Sequence, residues 1–405
     1  MIGEMDRQIP YGKKEASVSL TPCEDYSTQT AFLAMEELLV KSGRLDFVRP
    51  GMRIAIKLNL VSAMKAEAAA TTHPVLVEWL CRELIRRGAA VVLGDSPGGP
   101  YTAVYLKHVY NVTGIREVAE RTGAELNEDF DTADLSFPQA KIAKGFTGTA
   151  WLTKADAIIN FCKLKTHGMM AMSASVKNLF GTIPGTMKPE YHFRFPKMED
   201  FADMLVDLNE YWRPALNIVD AVVGMEGNGP TAGTPRKIGV IMASESPYNM
   251  DLVCAKLIGV DESQVLSIDA AKRRGLCAES VSEVPVNDDL SKYMIGDFEL
   301  LSGRRSLQFG GDGVIGKLTE VVMGELLKSK PKVKKAECIG CKKCMEICPA
   351  KAITMTGRGA AKENRNGIPS IDREKCIRCF CCQEFCPKGA MKAHRTWAAR
   401  WITRS

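Results

Sequence analysis

Two stretches near the end of the sequence repeat one pattern, CIGCKKCMEICP at residues 338–349 and CIRCFCCQEFCP at residues 376–387. In each stretch, three cysteines are separated by two residues, and a fourth follows after three more and precedes proline. Cys381 is an additional cysteine that stands outside the repeated positions. The repeated positions are occupied by Cys338, Cys341, Cys344, Cys348, Cys376, Cys379, Cys382 and Cys386.

This spacing is the ligand pattern of bacterial 4Fe-4S proteins, in which a short loop carries three thiolates to one cube. Each cube needs four thiolates, so eight cysteines match two cubes. In two-cluster ferredoxins, the fourth cysteine of each run ligates the other cluster. The pattern therefore predicts that Cys386 completes the first cube and Cys348 the second, with no ligand position for Cys381.

Two other uses of clustered cysteines fit less well. A disulfide framework is typical of small secreted domains in an oxidising compartment. Zinc sites also use Cys-x2-Cys pairs, but without a repeated third and fourth spacing. We therefore expect a small α+β, ferredoxin-like two-cluster domain at residues 337–393.

Length and composition indicate a multidomain globular protein. At 405 residues the chain exceeds the size of one hydrophobic core, and its hydrophobic content of 45% and charged content of 25% are ordinary. We predict no membrane span and no secretory signal, because no long apolar run is present. Oxygen-labile clusters and free thiols favour a cytoplasmic location.

Positive charge is concentrated beside the cysteine runs. Residues 328–405 contain 19 Lys and Arg against 6 Asp and Glu, whereas the net charge of the whole chain is +6. This charge offsets anionic clusters and would attract an acidic electron carrier such as ferredoxin or flavodoxin. The basic tail at residues 394–405 contains Trp397 and Trp401, but a helix packed on the protein explains it better than nucleic-acid or membrane binding.

Before residue 328, short apolar runs alternate with amphipathic segments. This alternation predicts an α/β domain over residues 1–327, with a mostly parallel sheet layered by helices in one or two lobes, followed by a linker at 328–336. Ligands bind such sheets at the carboxyl ends of the strands. Strands are predicted at Val18–Leu20, Arg53–Leu58, Ala89–Leu93, Ala157–Phe161, Ala215–Ala221 and Ile238–Ala243. Helices are predicted at Gln29–Lys41, Val75–Arg87, Phe201–Tyr211, Asp251–Leu257 and Leu318–Lys328.

Polar and glycine-rich segments follow several of these strands and form the candidate site. Lysine can neutralise a carboxylate or phosphate, and histidine can transfer protons near neutral pH. We predict catalytic roles for His167, Lys177 and Lys57. We predict ligand or cofactor contacts for Lys163, Lys165, Asn178, Asp95, Gly227 and Gly229.

Structural explanations for the same residues stay open. The lysines can be solvated, the glycines can form tight turns, and His167 and His73 can cap backbone groups. The glycines match neither the dinucleotide fingerprint nor the P-loop, so no nucleotide is predicted. A second cofactor of unknown identity is compatible with the sequence.

Four motifs carry a family resemblance. They are Lys57-x-Asn59, Gly94-Asp95-Ser96-Pro97-Gly98, Lys163-Leu-Lys165-Thr-His167 with Lys177-Asn178-Leu-Phe-Gly181, and Gly224-x-x-Gly-x-Gly-Pro. Together they resemble the family called domain of unknown function 362, which often occurs fused to a two-cluster ferredoxin domain. The resemblance covers most of residues 15–300 and implies this architecture without supplying a reaction. The spacing of His167 and Lys177 is also similar to the His/Lys pair of lactate-racemase-type proteins.

Three functions are compatible with these features. The first is an iron–sulfur oxidoreductase whose clusters pass electrons to a small anionic substrate or a cofactor in the α/β domain. The second is a non-catalytic electron-transfer subunit that docks on a larger redox enzyme. The third is a redox-sensing scaffold, for which Cys381 beside Cys382 is the supporting feature.

Overall fold

The computed structural model describes residues 14–300, 330–357, 364 and 366–394. The predicted helix Leu318–Lys328 and the tail after His394 lie outside these residues. The strands are β1 Ser19–Pro22, β2 Arg53–Lys57, β3 Ala90–Gly94, β4 Glu125–Leu126, β5 Thr132–Ser136, β6 Gly145–Thr149, β7 Ala157–His167, β8 Ala171–Ser173, β9 Leu216–Glu226, β10 Thr234–Ser244, β11 Lys330–Val333, β12 Ile353–Thr356, β13 Ile368–Ile371 and β14 Met391–His394. The α-helices are α1 Thr28–Met35, α2 Pro74–Arg86, α3 Ala103–Val112, α4 Ile115–Thr122, α5 Ser175–Asn178, α6 Lys188–Arg194, α7 Met198–Trp212, α8 Pro247–Leu257, α9 Leu266–Arg273, α10 Lys343–Glu346 and α11 Cys381–Glu384.

The first part of the chain is built on one mixed sheet. Its strand order is β1-β10-β9-β7-β2-β3-β4, and β8 pairs with β7. The central strands β9, β7, β2, β3 and β4 are parallel, whereas β1, β10 and β8 run antiparallel to their neighbours. The predicted α/β class with a mostly parallel sheet is therefore confirmed.

Helices cover both faces of this sheet, because its inner strands are apolar on both sides. Ile54 and Ile56 of β2 pack with α1 to α4 on one face. Ala55 of the same strand faces the other core, which contains α7, α8 and α9. The carboxyl ends of β2, β3 and β7 are thus held at one edge by two rigid layers.

Strand β7 differs from the prediction. We expected a strand that ends near Phe161 and a polar loop after it, but the strand continues to His167 and all eleven residues are buried. The reason is tertiary pairing: β9 continues beside β7 as far as Lys165, and β8 folds back onto Lys165–His167. The lysines at 163 and 165 therefore lie on a central strand rather than in a solvated loop.

The cysteine-rich part forms two antiparallel two-stranded sheets, β11 with β14 and β12 with β13. Part of the predicted linker at 328–336 is therefore wrong, because Lys330–Val333 pairs with Met391–His394 and belongs to this domain. The duplication is also visible in the backbone, since matched positions of the two runs share positive φ. These pairs are Gly340 with Arg378, Lys342 with Phe380, and Lys351 with Gly389.

Among the described helices, none combines the length and apolar character needed to cross a membrane.

Candidate functional site

A cavity of about 60 Å³ lies at the carboxyl ends of β2, β3 and β7. Its wall is strongly polar and contains both lysines and carboxylates. The ferredoxin-like domain contributes Glu384 to this wall. The polar lining residues are Asn59, Asp95, Ser96, Lys165, His167, Ser173, Lys177, Asn178, Lys188 and Glu384.

Lys57 lies beside this lining and is fully engaged. Its ammonium donates to Asp95 at 2.8 Å, to the Leu58 carbonyl at 2.6 Å and to Asn178 Oδ1 at 3.3 Å. Burial lowers the pKa of Lys57, and Asp95 opposes that effect. Because an ammonium has three protons, Lys57 has none left for a substrate. Lys57 therefore holds Asp95 and Asn178, two residues of the cavity wall, in position.

Asparagines connect Lys57 to the cavity. Asn178 Oδ1 accepts from Asn59 Nδ2 at 2.6 Å, and Asn178 Nδ2 donates to Asn160 at 2.8 Å. Asn59 Oδ1 in turn accepts from Lys165 Nζ at 2.6 Å. Lys165 also donates to the Ala70 carbonyl at 2.6 Å. This network orients Lys165 toward the cavity without giving it a carboxylate partner.

Lys163 belongs to a different cluster. Its ammonium donates to Asp220 at 2.6 Å, to Tyr26 at 2.8 Å and to the Val223 carbonyl at 3.0 Å. Asp220 also accepts from Tyr26 at 2.7 Å and from the backbone N–H of His73 at 3.0 Å. Lys163 does not line the cavity, so the structure does not bring it together with the other predicted ligand-binding residues.

His167 is held at both ring nitrogens. Its Nδ1 accepts from the backbone N–H groups of Met169 and Met170, each at 3.2 Å. The imidazole proton therefore lies on Nε2, which donates to Glu384 at 2.8 Å. Burial, reinforced by Lys177, lowers the pKa of His167 to about 4, so the ring is neutral near pH 7. His167 is thus both the capping residue and the cavity residue that the sequence left as alternatives.

The other two histidines of interest lie outside the cavity lining. His73 caps α2, since its Nδ1 accepts from the Val75 N–H, and its ring stacks on Tyr26 at 3.6 Å. His192 stacks on Phe201 at 4.4 Å, and burial lowers its pKa to about 3. Both rings therefore pack against aromatic side chains. Of the two roles left open for His73, capping a backbone group and binding a ligand, the structure shows the capping.

Lys177 is the cavity lysine with an unused ammonium. Within the described residues it has no hydrogen-bond acceptor, and its Nζ lies 5.0 Å from the centre of the Phe180 ring. Burial lowers its pKa, and the Glu384 carboxylate opposes this effect. The arrangement leaves all three of its protons available to a ligand.

Two residues of the cavity wall were missed by sequence reasoning. Lys188 at the start of α6 donates to the carbonyls of Ser96 and Ile183 and lines the cavity. Glu384 lies between the predicted cluster ligands Cys382 and Cys386, at a position with no distinctive spacing. Burial alone would raise the pKa of Glu384, but the His167 hydrogen bond and the Lys177 charge outweigh it and keep the pKa below its ordinary value. Only the tertiary packing identifies these residues.

The ferredoxin-like domain docks on the edge of the cavity. Gln383 Nε2 donates to the carbonyls of Asn228 and Gly229 at 2.9 and 3.1 Å. The Phe380 ring packs against Gly168, where an added Cβ would lie 3.1 Å from the ring. The predicted ligand loop at Gly227 and Gly229 therefore contacts the second domain, while its neighbour Pro230 reaches the cavity.

Gly229 allows this docking because its backbone lies against Thr166. A Cβ at Gly229 would collide with the Thr166 carbonyl and hydroxyl. We expect Gly229→Ala to destabilise the protein by about 1–3 kcal/mol, the usual cost of overpacking. Thermal unfolding should show a lower Tm, whereas Gly296→Ala, where a Cβ meets open space, should leave it unchanged. Equal Tm values for the two variants would contradict this account.

The cysteines form two sets that fit the predicted ligand scheme. Cys338, Cys341, Cys344 and Cys386 line one cavity. Cys382 interacts electrostatically with the other three cysteines of the second set, Cys376, Cys379 and Cys348, and also with Cys344 of the first set. The two crossover cysteines have matching environments: the Ala352 N–H donates to Cys348 Sγ at 3.3 Å and the Ala390 N–H to Cys386 Sγ at 3.2 Å. Four thiolates around each centre, with amide donors to sulfur, fit two 4Fe-4S cubes.

Comparisons with known proteins agree with this architecture. The family model described as domain of unknown function (DUF362) matches residues 54–256, and the model described as 4Fe-4S dicluster domain matches residues 337–390. The chain is 30% identical over 269 residues to the thylakoid-associated protein sll1697 of Synechocystis, which covers 64% of this chain and 80% of that protein.

Among solved structures, the lactate racemase apoprotein of Thermoanaerobacterium thermosaccharolyticum matches with a TM-score of 0.35 and 12% identity, covering 54% of this chain and 55% of that one. The family model and the relative from Synechocystis show that this chain belongs to the domain of unknown function 362 family and carries a 4Fe-4S dicluster domain after the family domain.

Proposed function

We propose that the protein is an iron–sulfur oxidoreductase that reduces a small anionic substrate bound in the cavity beside Lys177. The observation that carries this proposal is the position of Glu384. It lies on α11 two residues after Cys382, a rise of ~3 Å along a helix axis, and it lines the cavity and accepts from His167. One helical turn thus connects a predicted cluster ligand to the anion site.

The order of electron flow follows from exposure. Cys341 of the first cysteine set is exposed, and the basic residues Lys342 and Lys388 line the same cluster cavity. An external ferredoxin or flavodoxin would dock there through its acidic surface. When bound, the two cubes would supply single electrons. Helix α11, which carries Cys382 of the second cysteine set, also carries Glu384 of the substrate cavity.

The side chains around the cavity have three roles, which are proton donation, positioning and anion binding. A two-electron reduction of the oxyanion takes two electrons from the carrier and breaks one bond between the central atom and an oxygen, which leaves as water. The Lys177 ammonium is placed to donate the first of the protons that this requires, and solvent supplies the others and reprotonates the amine. His167 and Lys57 act as positioning residues, because their donors are already engaged. Lys165 and Lys188 hold the anion, and Asn178, whose amide protons are engaged, positions Lys165 through Asn59.

Reoxidation of the reduced protein tests the proposal. The intact chain, purified without oxygen and reduced with dithionite, should be reoxidised by at least one small oxyanion or carboxylate in a panel. Lys177→Gln should slow this reaction about tenfold or more, since a charge-assisted contact is lost. The control variant Lys107→Gln replaces an exposed lysine of α3 and should behave as the parent. Iron content should be the same in all three proteins.

Two outcomes would count against this function. If no member of the panel reoxidises the clusters and a stable partner enzyme is isolated instead, the protein is an electron-transfer subunit. If Lys177→Gln turns over as fast as the parent, the cavity is not the site of reduction. The proposal places the protein in the reducing cytoplasm, where thiols and low-potential carriers persist.

A further inference from the structure

The cavity has an excess of positive groups, and this excess carries an inference about its ligand. Within the described residues, four lysines, Lys57, Lys165, Lys177 and Lys188, lie in or beside the cavity wall with two carboxylates, Asp95 and Glu384. Lys57 already pairs with Asp95. Burying unpaired charge is costly in a protein interior. The remaining lysines therefore need an anion that the described residues do not supply.

The unused donors point in the same direction. Lys165 and Lys188 each donate two hydrogen bonds to neutral oxygens and keep one proton. Lys177 keeps all three. The Ser173 hydroxyl lines the same cavity and makes no hydrogen bond within the described part of the chain. A ligand that satisfies these donors must present several acceptor oxygens at short range.

The cavity volume limits the size of that ligand. A dry protein cavity of about 150 Å³ accommodates benzene, whereas this cavity measures about 60 Å³. Six carbons in about 150 Å³ scale to about two or three non-hydrogen atoms in this volume, and a fourth can extend from the open side of the cavity. Since several donors must be satisfied by so few atoms, at least two of those atoms are oxygens.

We infer that the cavity binds a small oxyanion with two or three oxygens on one central atom, such as a one- or two-carbon carboxylate, bicarbonate or nitrite. The inference deepens the proposed function and uses the same site. Lys177 and Ser173 are assigned as direct ligands of the anion. Lys165 and Lys188 each donate their one remaining ammonium proton to it.

The charge state of the lysines makes binding depend on pH. Burial lowers the pKa of Lys165 and of Lys188 to about 7. Lys165 is faced by Lys177, Lys163, Glu384 and Asp95, and Lys188 by Asp95, Lys57, Glu384 and Lys177. An anion favours the protonated amines, so it raises both pKa values and takes up protons. Affinity is therefore full below the pKa of the free site and is lost as the pH rises through it, by about tenfold per pH unit for each lysine that titrates.

Calorimetry on the intact, cluster-containing protein tests this inference. Formate, acetate, bicarbonate and nitrite are titrated separately, with benzoate as the oversized control. At least one small anion should bind saturably, benzoate should not, and affinity should be markedly stronger at about pH 6 than at about pH 8. Heats in buffers of different ionisation enthalpy should show proton uptake. Lys177→Gln should weaken binding about tenfold or more, and Lys107→Gln should not change it.

Other outcomes would overturn the inference. These are no saturable binding by any of the four anions, benzoate binding as tightly as they do, or an affinity that does not depend on pH. The variant Ser173→Ala removes one hydroxyl without disturbing a charge, so it replaces Lys177→Gln as the test if that variant fails to fold. Ser173→Ala should weaken anion binding about threefold or more. An anion that binds as inferred but never reoxidises the reduced clusters would remove the proposed reduction and leave the oxyanion site in place.

Discussion

Replacing Cys386 by alanine is expected to remove the cube whose other three ligands lie more than forty positions earlier in the sequence. Cys386 lines a cavity with Cys338, Cys341 and Cys344, although it belongs to the second run. A cube that loses one of four thiolates is not retained stably. Iron should therefore fall from about eight to about four atoms per chain, measured with acid-labile sulfide and the paramagnetic resonance spectrum of the reduced protein.

Double variants identify which cube is lost. Adding Cys338→Ala to Cys386→Ala should cause no further loss of iron, because both residues serve one cube. Adding Cys376→Ala instead should remove the second cube as well. The matched control is Cys381→Ala, a neighbouring buried cysteine outside the ligand positions, which should keep both cubes. The reverse pattern in the double variants would show that each run holds its own cube.

Lys163→Ala is expected to cost about 3–5 kcal/mol of stability, the usual effect of removing one member of a buried ion pair. The Lys163 and Asp220 side chains are 1% and 0% exposed. After the lysine is removed, hydrogen bonds from Tyr26 and the His73 N–H still hold the Asp220 carboxylate in its buried position. An uncompensated negative charge would then remain between β7 and β9. The Tm should fall by about 4–8 °C in thermal unfolding of the intact protein.

Two further variants separate this effect from a role in binding. Lys163→Met combined with Asp220→Asn removes both charges and should recover part of the lost Tm, because the unpaired charge is gone. At about pH 6, where Lys165 is protonated, and at a temperature where Lys163→Ala is folded, its affinity for small oxyanions should match the parent, since Lys163 does not line the cavity. A lost affinity with an unchanged Tm would instead return Lys163 to the ligand site.

Several strands, a helix and the cofactor could be predicted from the sequence, because each is encoded by neighbouring residues. Apolar strands at Arg53–Lys57 and Ala90–Gly94, and helix α2 with its Pro74 start, were recognisable from composition and caps alone. The cysteine spacing predicted the cofactor, since a cube constrains which thiolates can reach it. Strand β7 was underestimated because its polar half is buried by β8 and β9, which are remote in sequence.

The candidate site also combines features that local sequence predicts with features that depend on long-range contacts. Residue type and position after a strand were sufficient to select His167, Lys165, Lys177, Asn178 and Asp95, and all five line the cavity. Lys57 and Lys163 have the same sequence signal, yet Asp95 and Asp220 occupy their ammonium groups. Which lysine keeps free protons depends on long-range contacts that no spacing encodes.

The sequence by itself therefore determined the α/β class, the two cysteine sets and the family, because each rests on short patterns along the chain. Only the tertiary structure decided that Glu384 of the second domain hydrogen-bonds to His167, that Lys188 lines the cavity, and that Lys177 is the cavity lysine without a hydrogen-bond acceptor among the described residues. The physical reason is that an ion pair or hydrogen bond between distant residues depends on where folding places both partners, and a pattern in one segment describes only one of them.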